Sequence, residues 1–219
     1  PLHGGCQFTR RVAEHGLVAI VIGRVAGGHV GVPGAQFSGA QRQVQQVAAV
    51  LQLAHATATA VVPVAGRTGI TGATMADGQV MLSVERLNRI RELRPDARIA
   101  IVEAGVVLDR LHEAAEAADL YFPLWFGARG SAMIGGVLST NAGGSNVVRY
   151  GSTRSLCLGL EVVLADGRVL NLMSELHKDN SGYDLKQMFI GAEGTLGVIT
   201  AAVMMPSVPS APTNSPVRS

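Results

Sequence analysis

Three segments of the 219-residue sequence are rich in glycine and other small residues, and their composition suits ligand binding. The first, "GRTGITG" at residues 66–72, follows the run "VVPV", which predicts a strand. Glycine permits unusual backbone angles, so the N–H groups of such a loop can point into one concavity and bind a phosphate or pyrophosphate. The hydroxyls of Thr68 and Thr71 could add donors, and Arg67 a counter-charge. The same segment is also typical of an ordinary turn between two strands.

The second segment, "GARGSAMIGGVLSTNAGG" at residues 127–144, has six glycines among its eighteen residues, and most of the others are small. Such a surface can approach a flat ring closely, because few side chains stand in the way. The pyrimidine edge of a flavin presents N–H and C=O groups, for which the amide of Asn141 has suitable donors and acceptors. A single asparagine among glycines is also a common turn residue.

The third segment, "FIGAEGTLGVIT" at residues 189–200, places Glu193 among glycines directly before a predicted strand, and we expect it to be buried. Its carboxylate could accept a hydrogen bond from a ribityl or ribose hydroxyl, or it could orient the backbone of the loop. Three small-residue loops without an acid–base cluster indicate a cofactor site in which no catalytic residue can be identified.

The spacing of other residues excludes several common sites. No glycine is followed by Lys-Ser or Lys-Thr as a P-loop requires, and no G-x-G-x-x-G motif follows a strand. The histidines never fall at metal-ligand spacing, so we expect no metal, and we expect His112 on the surface. Cys6 and Cys157 lie in no paired motif, and no serine or cysteine has the context of a nucleophile.

The composition is that of a globular protein, with 47% apolar and 16% charged residues and a net charge of +2. No block of like charges suggests binding to nucleic acid, and the arginines of residues 86–98 are expected to form a solvated face. The longest apolar run, residues 16–23, is shorter than the ~20 residues of a membrane span. We therefore expect a soluble, cytoplasmic protein.

Helices and strands must position the three loops. Apolar residues recur at helical spacing from Val44 to Leu51 and again over 106–118. The polar segment 86–98 predicts an exposed connection, and 119–156 predicts a long loop. The dipeptide Asp166-Gly167 indicates a hairpin turn. Strands are expected at 60–64, 80–84, 99–103, 158–164, 168–172 and 195–205.

Because strands outnumber helices and some are joined by hairpins, the predicted fold class is α+β and not a doubly wound parallel sheet. Residues 1–43 are expected to be a poorly defined segment with one strand at 17–22, and 44–205 to form the folded domain. Residues 206–219 are rich in proline, serine and threonine and are expected to be a disordered tail.

Together the loops resemble the FAD-binding domain of the vanillyl-alcohol oxidase and p-cresol methylhydroxylase superfamily, the FAD-linked oxidases. Their order and spacing are similar from about Val44 to Met205. The segments "FPLWFGARGSAMIGGVLSTNAGG", "LGLEVVLADGRVL" and "KDNSGYDLKQMFIGAEGTLGVIT" look like the branch with D-2-hydroxyglutarate dehydrogenase, D-lactate dehydrogenase and the glycolate oxidase FAD subunit. This implies two α+β subdomains of the p-cresol methylhydroxylase type, at about 44–105 and 106–205, with FAD between them.

The resemblance also implies a role for each loop. The first would bind the FAD pyrophosphate, the second would run along the flavin and its ribityl chain, and the third would close the wall of the site. The residues concerned are Gly66, Arg67, Thr68, Gly69 and Gly72 in the first loop, Gly130, Ser131, Ile134, Gly135, Gly136, Asn141 and Gly144 in the second, and Glu193, Gly194, Gly197 and Ile199 in the third.

Two residues depart from the family pattern, which usually has glycine at Ala65 and an acidic or polar residue at Trp125. The methyl group of Ala65 is tolerable if φ there is negative and costly if φ is positive, so this departure concerns FAD affinity. Covalent members attach the flavin through a histidine in or near the first loop. None occurs between residues 56 and 111, which implies non-covalent FAD.

The implied activity is hydride transfer from the α-carbon of a 2-hydroxy acid to flavin N5, with this chain as the FAD-binding part of the dehydrogenase. The family's cap domain, which supplies the substrate-binding residues, is not recognisable in the sequence. The implied partners are a small 2-hydroxy acid and an unidentified electron acceptor. The alternative is a non-catalytic FAD-binding module, or an FAD subunit whose partner subunit binds the substrate.

Overall fold

The computed structural model describes residues 39–76 and 79–209, which form two sheets and several short helices. The predicted strand at 17–22 and residues 210–219 of the predicted tail lie outside this part of the chain. The elements are α1 (Gly39–Ala56), β1 (Val61–Val64), β2 (Val80–Ser83), β3 (Ile90–Arg94), β4 (Ile99–Glu103), α2 (Leu108–Glu116), α3 (Ile134–Ser139), α4 (Val147–Tyr150), β5 (Cys157–Val163), β6 (Val169–Leu172), α5 (Lys186–Phe189) and β7 (Val198–Met204), with 3₁₀ turns at Gly127–Gly130 and Thr153–Leu156.

The smaller sheet pairs β1 with β2 in parallel, with Val61 opposite Val80. Val64, Val80 and Leu82 are buried, as expected for strands of β-branched and apolar residues. A parallel pair needs a long crossover, and the crossover here contains the first glycine-rich loop. This topology places that loop at the carboxyl end of β1.

The larger sheet has the order β3-β4-β7-β5-β6, and all its neighbouring strands are antiparallel. All seven residues of the central strand β7 are buried. The predicted hairpin joins β5 to β6, where Gly167 has φ +83° and the Arg168 N–H donates to Asp166 Oδ1 at 3.0 Å. One apolar core extends from α1 and the small sheet to the large sheet. The predicted α+β class is confirmed.

The strand β3 lies where we predicted an exposed polar connection. Its Arg91 reaches across the sheet: Nε donates to Glu103 Oε1 and Nη2 to Glu161 Oε1, both at 3.2 Å. The two glutamates lie on either side of Ala201, whose methyl group occupies little of the space between them. Glu103 is completely buried, and a buried carboxylate requires charged or hydrogen-bonding partners. The expectation of a solvated arginine face was therefore wrong for Arg91.

The helices α1 and α2 occur where helical spacing predicted them, although α1 begins at Gly39, inside the segment expected to be poorly defined. The helix α3 was not predicted, because it lies in the presumed loop 119–156. Its Ile134 and Leu138 are fully buried, whereas the pair Gly135-Gly136 has low helix propensity and obscures the pattern.

Two expected boundaries differ from the structure. The division between the sheets falls between β2 and β3, earlier than residue 105, so β3 and β4 share a sheet with the strands of the second half. The existence of two separate subdomains stays a prediction. Tyr121 and Ser207 exchange backbone hydrogen bonds of 2.7 Å, so an isolated β-bridge holds the chain past the predicted start of the tail at residue 206.

The pairing of Arg91 with Glu103 generates a stability prediction. Glu103 also pairs with Arg89, whose Nη2 lies 3.3 Å from Glu103 Oε1. Replacing Glu103 with Gln removes the buried negative charge from both arginines, so the free energy of unfolding should fall by about 2–4 kcal/mol. Urea denaturation followed by circular dichroism measures this change. The matched control is Glu92→Gln on the edge strand, whose carboxylate is half exposed and should contribute little. Equal effects of the two substitutions would contradict the prediction.

Candidate functional site

A cleft lies where the three small-residue segments meet. It contains about 1030 Å³ of empty space, part of it open to solvent. Its walls are the loop after β1, the helix α3 with its flanking residues, and the loop before β7. Ten of the predicted site residues line it: Gly66, Arg67, Thr68, Gly69, Gly135, Gly136, Glu193, Gly194, Gly197 and Ile199.

The first and second segments touch through their backbones. A β-carbon at Gly66 would lie 2.0 Å from the carbonyl oxygen of Ser131 and 3.1 Å from the α-carbon of Ala132. Real β-carbons do not make contacts this short, so only glycine fits at residue 66. The loop after β1 is thereby brought directly against the segment that leads into α3.

Beyond Gly66 the first loop is exposed to solvent. A β-carbon at Gly69 would meet no atom within 4 Å, and the side chain of Ile70 is 99% exposed. Arg67 has φ +51° and Gly72 has φ +77°, so the backbone departs repeatedly from the ordinary regions. A non-glycine residue in this conformation costs about 1–2 kcal/mol, which the surrounding structure must offset. Such a loop leaves its backbone N–H groups free to bind an anion.

The departure at Ala65 is accommodated. Its φ is not among the positive values of the described residues, and its methyl group lies 3.3 Å from the position that a β-carbon of Gly136 would take. The condition under which we expected the methyl group to be tolerable is met. Ala65 itself lines the cleft.

The glycine pair of the second segment allows α3 to pack closely. The Gly135 N–H donates to the carbonyl oxygen of Ala104 at 2.7 Å, and a β-carbon at Gly135 would lie 2.8 Å from that of Ala104. Gly136 faces the first loop instead, near Ala65. One glycine thus fits the helix against the end of β4, and the other keeps the cleft open.

The third segment closes the cleft against β1 and α3. A β-carbon at Gly194 would lie 2.7 Å from Pro63 Cγ, and the Glu193 N–H donates to the carbonyl oxygen of Ser139 at 2.8 Å. Glu193 has φ +52°. We expected Glu193 to be buried, but it is exposed. The hydrogen bond to Ser139 fastens the loop backbone to α3.

Six predicted site residues are not in the cleft lining. Ile134 is fully buried in the core, and a β-carbon at Gly144 would lie 2.4 Å from the carbonyl oxygen of Trp125. Asn141 has φ +47°, and its Oδ1 accepts a hydrogen bond of 3.0 Å from the Arg154 N–H. The other three, all outside the lining, are Gly72, Gly130 and Ser131.

Three hydroxyl residues of the lining, Thr74, Ser139 and Thr140, were missed in the sequence. Ser139 and Thr140 donate to the carbonyl oxygens of Gly135 and Gly136, at 2.7 and 3.0 Å. Hydroxyls four residues after a glycine pair are the signal that could have revealed them, since this spacing places each one over the carbonyl of the preceding helical turn. Their remaining lone pairs can accept hydrogen bonds from a ligand.

His112 was expected on the surface, but its side chain is only 11% exposed. Its Nε2 is 2.9 Å from the carbonyl oxygen of Leu124, and its ring stacks on Trp125 with 4.9 Å between centroids. The guanidinium of Arg129 lies 4.1 Å from the centroid of the Trp125 ring. Trp125, the second departure from the family pattern, therefore packs between His112 and Arg129 and does not line the cleft.

Cys157 lies in β5, where burial raises the pKa of its thiol to about 12. The thiol therefore stays protonated near neutral pH, and a protonated thiol is a weak nucleophile. Cys6 lies outside the described residues.

Within the described ranges, no group of three histidine, cysteine or acidic side chains could hold a metal ion, and no helix is long and apolar enough to cross a bilayer.

The sequence was compared with known families and proteins. A family described as the FAD binding domain matches residues 40–173. The mitochondrial D-2-hydroxyglutarate dehydrogenase of Bos taurus is 47% identical over 171 residues, which cover 77% of this chain and 31% of the relative. The D-2-hydroxyglutarate dehydrogenase of Xanthomonas citri is 45% identical over 172 residues, which cover 78% of this chain and 36% of the relative.

A solved structure of alkyldihydroxyacetonephosphate synthase is also similar, with a TM-score of 0.66 and 25% identity. The alignment covers 76% of this chain and 33% of that protein. This chain thus spans about a third of the length of the proteins that it matches.

The contact between Gly66 and Ser131 generates a prediction with an internal control. Gly66→Ala should lower the free energy of unfolding by about 2–3 kcal/mol, because the new methyl group forces the two segments apart. Gly69→Ala, three residues along the same loop, should have little effect, because nothing lies within 4 Å of the new methyl group. Thermal and urea unfolding of both variants test this. If both substitutions are tolerated equally, the close approach is not needed for folding.

Proposed function

The chain belongs to the FAD binding domain family, as its resemblance predicted, and from this membership and the cleft we propose that it binds FAD non-covalently. We propose further that it is the FAD-binding part of a flavin-dependent oxidoreductase acting on CH–OH donors. The proposed substrate is a small 2-hydroxy acid of the D-2-hydroxyglutarate or D-lactate type. The observation that carries the proposal is that the three small-residue loops, far apart in sequence, meet at one cleft.

The first loop fits a pyrophosphate. Its backbone is exposed from Arg67 to Thr71, so N–H groups are available to a ligand, and Arg67 provides a positive charge. Anions bind well to several free backbone N–H groups together with one guanidinium. The Thr68 and Thr71 hydroxyls, which also line the cleft, supply further donors.

The second and third loops fit the rest of the cofactor. Ala132, Gly136, Val137 and Ala142 form a smooth, mostly apolar wall that a ring system can contact. Ser139 and Thr140, both in the lining, offer hydroxyl oxygens to the hydroxyls of a ribityl chain. The described residues of the lining include no histidine or cysteine that could attach a flavin covalently, in keeping with non-covalent binding.

The chain's own contribution is to bind the cofactor, orient it and exclude water from one side of it. Bound FAD would supply an acceptor for the hydride of the substrate α-carbon. Oxidation of a hydroxy acid also needs a base for the hydroxyl proton, and among the described residues of the cleft lining the exposed Glu193 is the only acidic side chain. We therefore propose that the base and the substrate-binding groups belong to residues beyond those described.

A second candidate function follows from the same observation. Since the described lining offers no good base, the chain could serve as a non-catalytic FAD-binding module or as an FAD subunit whose partner subunit binds the substrate. The proposed location is the cytoplasm, in keeping with a free Cys157 in the described part of the chain.

Titration of the purified chain with FAD tests the proposed cofactor. Binding should quench flavin fluorescence and saturate at one FAD per chain. Arg67→Met should raise the dissociation constant about five- to tenfold, because one charge-assisted hydrogen bond to phosphate is lost. Arg168→Met is the matched control, since Arg168 is 76% exposed in the β5–β6 hairpin and pairs with Asp166. A wild-type chain that takes up no FAD would overturn the proposal.

Dye reduction with D-2-hydroxyglutarate or D-lactate tests the division of labour. The FAD-loaded chain alone should turn over slowly, and a co-purifying partner that restores dehydrogenation would support the subunit alternative. Fast turnover by the isolated chain would show that its own residues supply the base.

A further inference from the structure

The third wall of the cleft is held in place from outside the cleft. We propose that Arg154, which does not line the cleft, is the positioning residue of this wall and thereby a determinant of FAD affinity. The inference about affinity rests on the proposed function, whereas the inference about position does not.

The guanidinium of Arg154 binds the carbonyl groups at the end of α5. Nη1 donates to the Gln187 carbonyl oxygen at 2.8 Å and to Gln187 Oε1 at 2.7 Å, and Nη2 donates to the carbonyl oxygen of Ile190. The last carbonyls of a helix have no partners within the helix. Arg154 supplies those partners at the residues where the third segment begins.

The backbone of Arg154 binds the second segment. Its N–H donates to Asn141 Oδ1 at 3.0 Å, and Asn141 is the residue with φ +47° that follows α3. A single residue therefore links the end of the second segment to the start of the third. Both segments contribute residues to the same cleft lining.

Residues 190–193 lie between this guanidinium and α3. The N–H groups of Gly191 and Glu193 donate to the carbonyl oxygens of Leu138 and Ser139, at 3.0 and 2.8 Å. A β-carbon at Gly191 would lie only 3.2 Å from Arg154 Nη2, and Gly191 has φ +84°. The loop segment that places Glu193 and Gly194 in the cleft lining is thus fixed on both sides.

The shape of the guanidinium explains why arginine suits this position. The described ion pairs of the chain do not include Arg154, and the groups that its guanidinium contacts are neutral carbonyl oxygens. Two separate nitrogens are needed to reach residues 187 and 190 together. A lysine has one nitrogen and can replace only part of this arrangement.

The experiment compares Arg154→Met, Arg154→Lys and the surface control Arg168→Met with the wild-type chain. Hydrogen exchange of the Gly191 and Glu193 amides is measured without FAD, and the FAD dissociation constant is measured by titration. In Arg154→Met we expect both amides to exchange about tenfold faster and the dissociation constant to rise about tenfold. In Arg154→Lys the exchange rates and the dissociation constant should rise less than in Arg154→Met, and in Arg168→Met neither should change.

The visible circular dichroism of FAD bound at saturation adds a readout of its orientation, and it should change in Arg154→Met. If Arg154→Met does not fold, Arg154→Lys decides the question.

Unchanged amide exchange together with a dissociation constant within about twofold of wild type in the Arg154 variants would overturn the inference. Faster exchange in a chain whose wild type binds no FAD would uphold the positioning role and overturn the proposed function. Faster exchange with unchanged FAD binding would overturn the link to affinity.

Discussion

The backbone contact between Gly66 and Ser131 is the constraint on which the cleft depends. A β-carbon at residue 66 would lie 2.0 Å from the Ser131 carbonyl oxygen, so these two segments can approach each other only because residue 66 has no side chain. This contact joins the loop of the small sheet to the segment that leads into α3, and α3 packs on the central strand β7. The two sheets are thereby brought together with a cleft between their loops, and backbone forms much of its wall.

Glycines also permit close contacts between segments at the other walls of the cleft. Gly135 lets α3 lie against Ala104, and Gly194 lets the third segment lie against Pro63. Where the chain turns sharply without glycine, the structure carries strain: Arg67 and Glu193 have positive φ in the cleft lining. Strain of this kind persists only where surrounding contacts hold the backbone. Glu193 is held by the hydrogen bond from its N–H to Ser139, and the chain directly before Arg67 by the close approach of Gly66 to Ser131.

Two arginines stabilise the frame around the cleft in different ways. Arg91 spans two carboxylates across the large sheet, one of them completely buried, and so ties the edge strand β3 to β5. Arg154 binds neutral carbonyls and ties the second segment to the third. In both cases a planar guanidinium reaches two groups at once, which a point charge could not do. Neither side chain lines the cleft. Arg91 fixes strands of the large sheet, and Arg154 fixes two segments that form part of the cleft walls.

The sequence by itself determined most strands, the β5–β6 hairpin, both long helices and the three loops, because alternation, helical spacing and glycine content are local properties. It did not reveal β3, whose charged residues follow no apolar alternation and are explained only by a buried glutamate on the neighbouring strand. It did not reveal α3 either, because a glycine pair hides the helical spacing of the buried residues Ile134 and Leu138. Only the tertiary structure decided which glycines let two segments of the chain approach closely and which have open space beside them, as Gly69 has. That distinction depends on what lies opposite each residue, and the partners, such as Ser131 for Gly66 and Pro63 for Gly194, are far away in sequence.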